Sequence, residues 1–234
     1  MTTCPAVQPD MTVTAEIHER LAAKGLLPAE HFVDSAYVDA ALLVGSHGSH
    51  GVALEGPVRG VANWQARAGQ GYDLPHFTID WDHQRVTCPQ GKVSVSWRPA
   101  RNTDGSPRIC AQFSRLDCGA CAAQALCTQT KRPRRHVYFH PRAEHEALTA
   151  ARARMSDPAW KQRHAVRAGV EGTLSQGVRA FGMRRSRYIG LAKTGLQQVC
   201  IAAAMNVSRI VGWLDGQPRA KTRVTRFAAL ASAA

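Results

Sequence analysis

The chain has 234 residues, 44% of them hydrophobic, enough to bury the core of one large domain or of a domain with an insertion. Lysine and arginine outnumber aspartate and glutamate by 30 to 17, and the resulting net charge of +13 favours a polyanionic partner. No apolar run approaches the roughly 18 residues of a membrane span, and the N-terminus lacks the basic start and apolar core of a signal peptide. These features exclude an integral membrane protein and predict a soluble, cytoplasmic one.

The positive charge is concentrated in the second half of the chain. Residues 131–226 contain 20 lysines and arginines against 5 aspartates and glutamates, whereas the remainder is slightly acidic. A solvated basic face is one interpretation. A nucleic-acid surface is the other, and the bias towards arginine favours it because the guanidinium fork matches phosphate oxygens. We therefore expect duplex DNA as a partner, and association with the nucleoid.

The first third of the chain has the pattern of an α/β protein. Apolar residues at i, i+4 and i+8 (Val13, Ile17, Leu21) predict a helix over 12–24, which Gly25 ends. The next predicted elements are a strand at 32–33, a helix over 37–44, a loop over 45–51 and a strand at 52–54. Asp34 follows the first strand, where a carboxylate can cap the next helix or face a ligand crevice and bind metal. The residues alone leave both roles open.

Residues 60–140 have a different character, with dense turn residues and short alternating runs. These runs predict antiparallel strands at 76–81, 85–87, 93–97 and 109–113. The segment also carries a C-x2-C pair, Cys118 and Cys121, flanked by Cys88 and Cys127. Four thiolates can form a structural zinc site that closes a small insert. Buried or merely reduced thiols are the alternative.

The chain becomes helical again over 141–215, with predicted helices at 144–155, from Asp157 onward, and over 188–214. Glu171 lies on a helix with Arg163 and Arg167 at i+4 spacing, which indicates either a surface ion pair or a carboxylate turned into a basic cleft. Further arginines alternate with glycines that let a backbone approach phosphates; they are Arg179, Arg184, Arg185 and Arg187. The remaining 216–234 form a basic tail.

Three segments carry a resemblance to a known family: VDSAYVDAALL, CPQGK…CGACAAQALC and RAGVEGTLSQGVRAFGMRRSRYIGLAK. Over roughly residues 9–230 the chain resembles the C-terminal part of a bacterial insertion-sequence DDE transposase. The resemblance implies an α/β fold: a partial RNase H-like core in 1–59, a β-rich insertion in 60–140 that carries the cysteines of the candidate zinc site, and the helical end of the core in 141–215. Of three catalytic acids in the family, Asp34 matches the second and Glu171 the third.

Many transposases of this kind carry Tyr-x2-Arg-x3-Glu-x6-Lys around the catalytic glutamate. This chain has His164 at the tyrosine position, Arg167 and Glu171 as expected, and Val178 at the lysine position with Arg179 beside it. The arginine and glutamate therefore match, whereas the phosphate-contacting lysine is missing or shifted.

The resemblance implies cleavage and strand transfer of phosphodiesters at transposon ends, with Mg²⁺ or Mn²⁺ held by Asp34 and Glu171. The basic side chains would hold transposon-end and target DNA. Since the first catalytic aspartate should precede this sequence, we expect the chain to be inactive alone. An N-terminal transposase piece and a second copy of the chain are the expected protein partners. The competing hypothesis is a non-catalytic, zinc-stabilised DNA-binding remnant.

Overall fold

The fold is mixed α/β, built from small sheets and helices. The computed structural model describes residues 2–60, 63–130 and 133–218. Two compact units can be distinguished. The larger is Pro9–Arg167, and the smaller combines residues 2–8 with the segment from 168 onward. Within the described ranges, no helix is both long and apolar enough to cross a membrane.

The larger unit begins with two parallel strands and their helices. In chain order these are α1 (Thr14–Ala22), β1 (Glu30–Phe32), α2 (Ala40–His50), β2 (Ala53–Glu55) and α3 (Trp64–Ala68). Phe32 pairs with Glu55 in the parallel ladder. A Cβ atom at Gly56 would lie 2.6 Å from the carbonyl oxygen of Val33, so only glycine lets the chain leave β2 this close to β1.

A small apolar core lies between this sheet and the first long helix of the following part of the chain. That helix is α6 (Arg142–Met155), and α7 (Pro158–Ala165) follows it. Leu148 and Ala151 of α6 pack against Val33, Leu43 and Leu54. Asp157 caps α7 by accepting a hydrogen bond from the backbone N–H of Ala159, and Pro158 occupies the first helical position, where its missing N–H costs nothing.

The intervening segment forms a β-rich layer with its own core. It contains β3 (Thr78–Asp80), β4 (Arg85–Thr87), β5 (Ser96–Arg101), β6 (Pro107–Gln112), α4 (Arg115–Gly119), α5 (Gln124–Cys127) and β7 (His136–Phe139). β3 and β4 form an antiparallel hairpin, and β5, β6 and β7 form an antiparallel sheet. Phe113 and Phe139 are almost fully buried. The predicted antiparallel character is confirmed, although the strand expected at 93–97 begins only at Ser96.

The smaller unit is a helical pair, α8 (Ala168–Ala180) and α9 (Leu191–Leu214). The helices approach closely at Gly177, where an added Cβ would lie 2.8 Å from Met183 and 2.9 Å from Met205. Arg209 of α9 donates a hydrogen bond of 2.6 Å to the hydroxyl of Thr173 in α8. The helix predicted over 188–214 is confirmed except for its first turn, which belongs to the loop.

The predicted loop over 45–51 is wrong. α2 begins at Ala40, three residues later than expected, and continues through this segment to His50. Asp39 caps it by accepting from the N–H of Leu42 at 2.9 Å, and Gly51 ends it with a φ of 68°. Each interior glycine costs roughly 1 kcal/mol of helix propensity, but the burial of Leu43 and Ser46 on one helix face offsets that cost.

Candidate active site

Asp34 lies two residues beyond the end of β1, at the carboxyl edge of the parallel sheet. Its Oδ1 accepts a hydrogen bond of 2.6 Å from the N–H of Ser35 and so caps the short 3-10 helix Ser35–Tyr37. The capping role is therefore real, although the cap of α2 itself is Asp39. The side chain of Asp34 is 57% exposed, so the carboxylate still has a face open to a ligand.

Helix α7 and the residues after it run along β1 and bring basic groups to the strand. Arg163 donates to the carboxylate of Glu30 at 2.7 Å, and the Nε2 atom of His164 lies 3.4 Å from the carbonyl oxygen of Val33. Of the six arginines predicted to hold phosphate, two belong to this segment, and the first of them, Arg163, is paired with Glu30. The Nη2 atom of Arg167, the second of them, lies 3.5 Å from Oδ2 of Asp34.

Glu55 is an acidic residue of this edge that the sequence analysis missed. It ends β2, beside β1, and its side chain is only 7% exposed. One carboxylate oxygen accepts a hydrogen bond of 2.6 Å from the indole N–H of Trp160, and the other lies 3.2 Å from Nε of Arg154. Trp160 in turn stacks on His164 with ring centroids 4.9 Å apart. Glu55 therefore positions α6 and α7 against the sheet; an acidic residue at a strand end before Gly56 was the only sequence signal for it.

Glu171 lies in the first turn of α8, where a carboxylate interacts favourably with the helix dipole. It belongs to the smaller unit, whereas Asp34 belongs to the larger one. Among the residues described, no three or more His, Cys, Asp or Glu side chains form a group able to hold a metal ion. Carboxylate oxygens are nonetheless the donors that Mg²⁺ and Mn²⁺ prefer, so the chemistry of both residues fits the predicted ion.

The remaining predicted phosphate ligands lie at one end of the smaller unit. Arg179 is in the last turn of α8, and Arg184, Arg185 and Arg187 are exposed in the loop before α9. Gln197 of α9 fixes this loop: its Oε1 accepts from the N–H of Arg187 at 2.9 Å, and its Nε2 donates to the carbonyl oxygen of Arg185 at 2.6 Å. The arginines therefore project from an ordered backbone.

The four cysteines predicted to bind zinc share one cavity in the β-rich segment. Cys88, Cys118, Cys121 and Cys127 all line this cavity of about 490 Å³, and all seven cysteines of the chain are free thiols. The backbone N–H of Lys92 lies 3.3 Å from the sulfur of Cys88, as in a tight turn that presents a thiolate.

The four thiols also lie within electrostatic reach of one another. Burial raises the pKa of the Cys127 thiol, and negative charge on Cys118, Cys88 and Cys121 raises that pKa further, while the Arg135 guanidinium opposes the shift. As the side chains are oriented, no three of these described cysteines converge on a single metal position.

One comparison with known proteins identifies the family. A family model described as "Transposase DDE domain" matches residues 87–211, just over half of the chain. The match includes Glu171, the four cysteines and the arginine loop, whereas Asp34 and the parallel strands precede it. Comparison with curated proteins and with solved structures gave no match. The match confirms the resemblance seen in the sequence: this chain belongs to the family of DDE transposase domains.

Proposed function

We propose that the chain provides two of the three catalytic acids of a DDE transposase, Asp34 and Glu171, and that its fold is a partial RNase H-like core. One observation supports this most directly. Asp34 stands at the carboxyl edge of a parallel sheet, where open α/β folds bind ligands, and Arg167 contacts it. Glu171 follows Arg167 at the spacing that the family motif requires. The segments 1–59, 60–140 and 141–215 would then be core, insertion and helical end of the core.

The residues of this chain would act on DNA as follows. Asp34 and Glu171 would hold Mg²⁺ or Mn²⁺, and the bound ions would supply activation of the attacking hydroxyl and stabilisation of the leaving oxygen. Arg167 neutralises Asp34 in the absence of metal and becomes free to contact a phosphate oxygen once Asp34 is engaged. The family mechanism uses three acidic residues and this chain matches two of them, so we propose that Asp34 and Glu171 do not support cleavage until a third carboxylate is supplied.

Metal-directed cleavage tests whether both carboxylates belong to one site. Fe²⁺ can occupy Mg²⁺ sites; it reduces added hydrogen peroxide to hydroxyl radicals that cut the backbone near the ion, and ascorbate reduces the resulting Fe³⁺ back to Fe²⁺. We expect cuts near residue 34 and near residue 171, with both sets abolished in Asp34→Asn and in Glu171→Gln. Asp82→Asn, an exposed acid outside the site, is the matched control and should leave the cuts unchanged. Cuts near only one carboxylate would refute the shared site.

Activity provides the second test. The chain alone should not nick transposon-end DNA in the presence of Mg²⁺. Addition of a polypeptide that supplies the upstream strands and the first aspartate should restore nicking, and Glu171→Gln should abolish the restored activity. Robust nicking by the isolated chain would mean that the acidic residues are misassigned.

We propose that the basic side chains of the second half hold the DNA of transposon ends and target. Arg179, Arg184, Arg185 and Arg187 support this role because they are exposed on one helix end and an ordered loop. A homodimer would place two such surfaces on a pair of ends. Binding of this type should show little sequence preference, since contacts to phosphates position a protein without reading bases.

The competing proposal is a non-catalytic DNA-binding remnant stabilised by zinc. The specific observation behind zinc is the shared cavity of Cys88, Cys118, Cys121 and Cys127. Rotation of these side chains about χ1 would be needed to bring the four sulfurs together. The zinc would be structural in either proposal, because it would close the insertion rather than contact DNA. The cleavage experiment above separates the two proposals.

A further inference from the structure

The smaller unit contains a cavity beside the arginine loop that the catalytic proposal does not use. Its volume is about 520 Å³, within the 300–1,000 Å³ that is typical of small-ligand sites. Leu196, Ile201 and Ala204 of α9 provide an apolar lining, and Phe181 and Tyr188 add two aromatic rings. The cavity is thus suited to a flat, largely apolar ring.

Its charged lining residues are cationic. Arg187 and Lys193 border the cavity, and between Glu171 and Asp215 the sequence contains six lysines and arginines and no acidic residue. An acidic protein surface could also be attracted by this charge, but the cavity holds only a small group. A single nucleotide matches both the apolar lining and the positive charge of the cavity, because its base has an apolar face and its phosphate is anionic.

The loop that carries Tyr188 has a backbone defined by two glycines and by hydrogen bonds. Gly182 and Gly190 flank it with φ values of 63° and 99°, which side-chain-bearing residues rarely adopt. Between the two glycines, the hydroxyl of Ser186 donates a hydrogen bond of 2.8 Å to the carbonyl oxygen of Tyr188. The side chain of Gln197 accepts a hydrogen bond from the backbone N–H of Arg187. The Tyr188 side chain remains 54% exposed. The ring is therefore available without a rearrangement of the loop.

We propose that this cavity binds one unpaired nucleotide of a DNA strand, with the base stacked on Tyr188 and its phosphate held by Arg187 and Lys193. Aromatic stacking accepts every base because each has a π-face, and cationic groups follow the backbone. The inference rests on the proposed DNA-binding function and deepens it: the site recognises unpaired strands at a cut or frayed end, in addition to duplex phosphates.

The test compares two DNA probes with the full chain. One is a duplex with a short 3′ single-stranded overhang containing 2-aminopurine, and the other is a blunt duplex with 2-aminopurine in a pair. Binding should quench the fluorescence of the overhang probe, because the base stacks on Tyr188, and should leave the blunt probe unchanged. Anisotropy should give an affinity for the overhang about 5- to 100-fold higher than for the blunt duplex.

Four variants, one of them a control, separate stacking from general effects. Tyr188→Ala should abolish the quench and the overhang preference, with blunt-duplex affinity retained, whereas Tyr188→Phe keeps the ring and should keep both. Lys193→Gln should weaken overhang binding independently of the loop. Tyr138→Ala, which removes an equally exposed tyrosine at 54%, is the matched control and should behave as the wild type. Circular dichroism establishes that each variant is folded.

The outcomes distinguish this inference from the function on which it rests. Binding of the blunt duplex without overhang preference or quench would overturn the nucleotide site and leave the DNA-binding function intact. Loss of stacking in Tyr188→Phe as complete as in Tyr188→Ala would also overturn it. Failure to bind either DNA at low salt would refute the DNA-binding function, and the nucleotide site with it.

Discussion

The guanidinium of Arg167 lies 3.5 Å from the carboxylate of Asp34, and this pair joins the chain just after α7 to the chain just after β1, each residue being two positions past the end of its element. Arg167 was predicted to hold a phosphate of the DNA, and Asp34 was predicted to bind a metal ion. Because of this pair, a divalent metal ion that binds Asp34 must compete with the positively charged guanidinium of Arg167. In the proposed site the arginine therefore reduces metal affinity until DNA provides a phosphate for it.

Arg167→Gln should consequently strengthen Mn²⁺ binding to the free chain. Removal of one nearby, partly exposed positive charge is worth up to about 1 kcal/mol, or roughly a fivefold change in affinity. Isothermal titration with Mn²⁺ measures this change. Arg167→Lys retains the charge and should bind as the wild type does, and Asp34→Asn should bind more weakly than both. Equal affinity in Arg167→Gln and the wild type would show that the pair does not control the metal.

Glu55 should matter for stability because its carboxylate is buried between two partners. Glu55→Ala leaves the indole N–H of Trp160 without an acceptor in a buried position, which costs about 1–3 kcal/mol. Urea unfolding of the larger unit measures the decrease in stability. Glu146→Ala removes an exposed carboxylate paired with Arg142 and should cost less than about 0.5 kcal/mol. Similar decreases in both variants would contradict a positioning role for Glu55.

These residues also show which parts of the site the sequence could predict. Asp34 and Glu171 were predicted from a short apolar strand before the aspartate and a basic helical segment around the glutamate, together with the family resemblance, and their catalytic roles stay predictions. The importance of Glu55 depends on Trp160, which is 105 residues away, and no local pattern records that pairing. The hydrogen bond between Trp160 and Glu55 could therefore not be predicted from the sequence.

The same reasoning explains the error in α2. Local propensity counted the glycines of residues 45–51 against a helix, whereas Leu43 and Ser46 are buried on one face of that helix. Tertiary packing overrode propensity. By contrast, the antiparallel strands of the β-rich segment could be predicted from short local runs such as residues 76–81, in which polar and apolar residues alternate.

DNA affinity should fall steeply as salt rises, because each neutralised phosphate releases counterions. In a combined Arg184→Gln, Arg185→Gln and Arg187→Gln variant, the slope of log affinity against log salt should decrease by about 0.9 for each phosphate that the protein no longer neutralises. Anisotropy titrations over a salt series measure the slope. Arg20→Gln, in α1 and paired with Glu16, serves as the control. A flat salt dependence of the wild type would refute the phosphate role.

Acid should destabilise the larger unit through the buried His18 and the half-buried His31. Burial lowers the pKa of His18, with His31 and His50 lowering it further, and burial also lowers the pKa of His31. His18 Nε2 lies 3.0 Å from His31 Nδ1, and among the described residues His18 Nδ1 has no hydrogen-bond partner. The folded state therefore favours neutral rings, whereas the unfolded chain protonates near pH 6.5. Stability is retained above that pH and declines as the pH falls through it.

The melting temperature should accordingly drop between about pH 7.5 and about pH 5.5, by roughly 2–4 °C for each histidine kept neutral. His18→Gln should reduce this drop, since its amide has no charge to gain. His47→Gln changes an exposed histidine of α2 and should leave the drop unchanged. Differential scanning calorimetry at both pH values makes the comparison. An identical drop in wild type and His18→Gln would show that other groups cause the acid sensitivity.

The last prediction concerns zinc in the insertion. If Cys88, Cys118, Cys121 and Cys127 bind one ion, metal analysis after dialysis should give close to one zinc per chain, and Cys118→Ser should lose it. Because a thiol must lose its proton to bind and burial raises the pKa of Cys127, zinc should be released as the pH falls. Removal of zinc should lower the melting temperature of the insertion, whose core packs against Cys88, Cys118 and Cys127. Cys200→Ser alters an exposed thiol of the smaller unit and should retain the metal. A zinc-free wild type that melts at the same temperature with and without added zinc would identify the four residues as buried thiols.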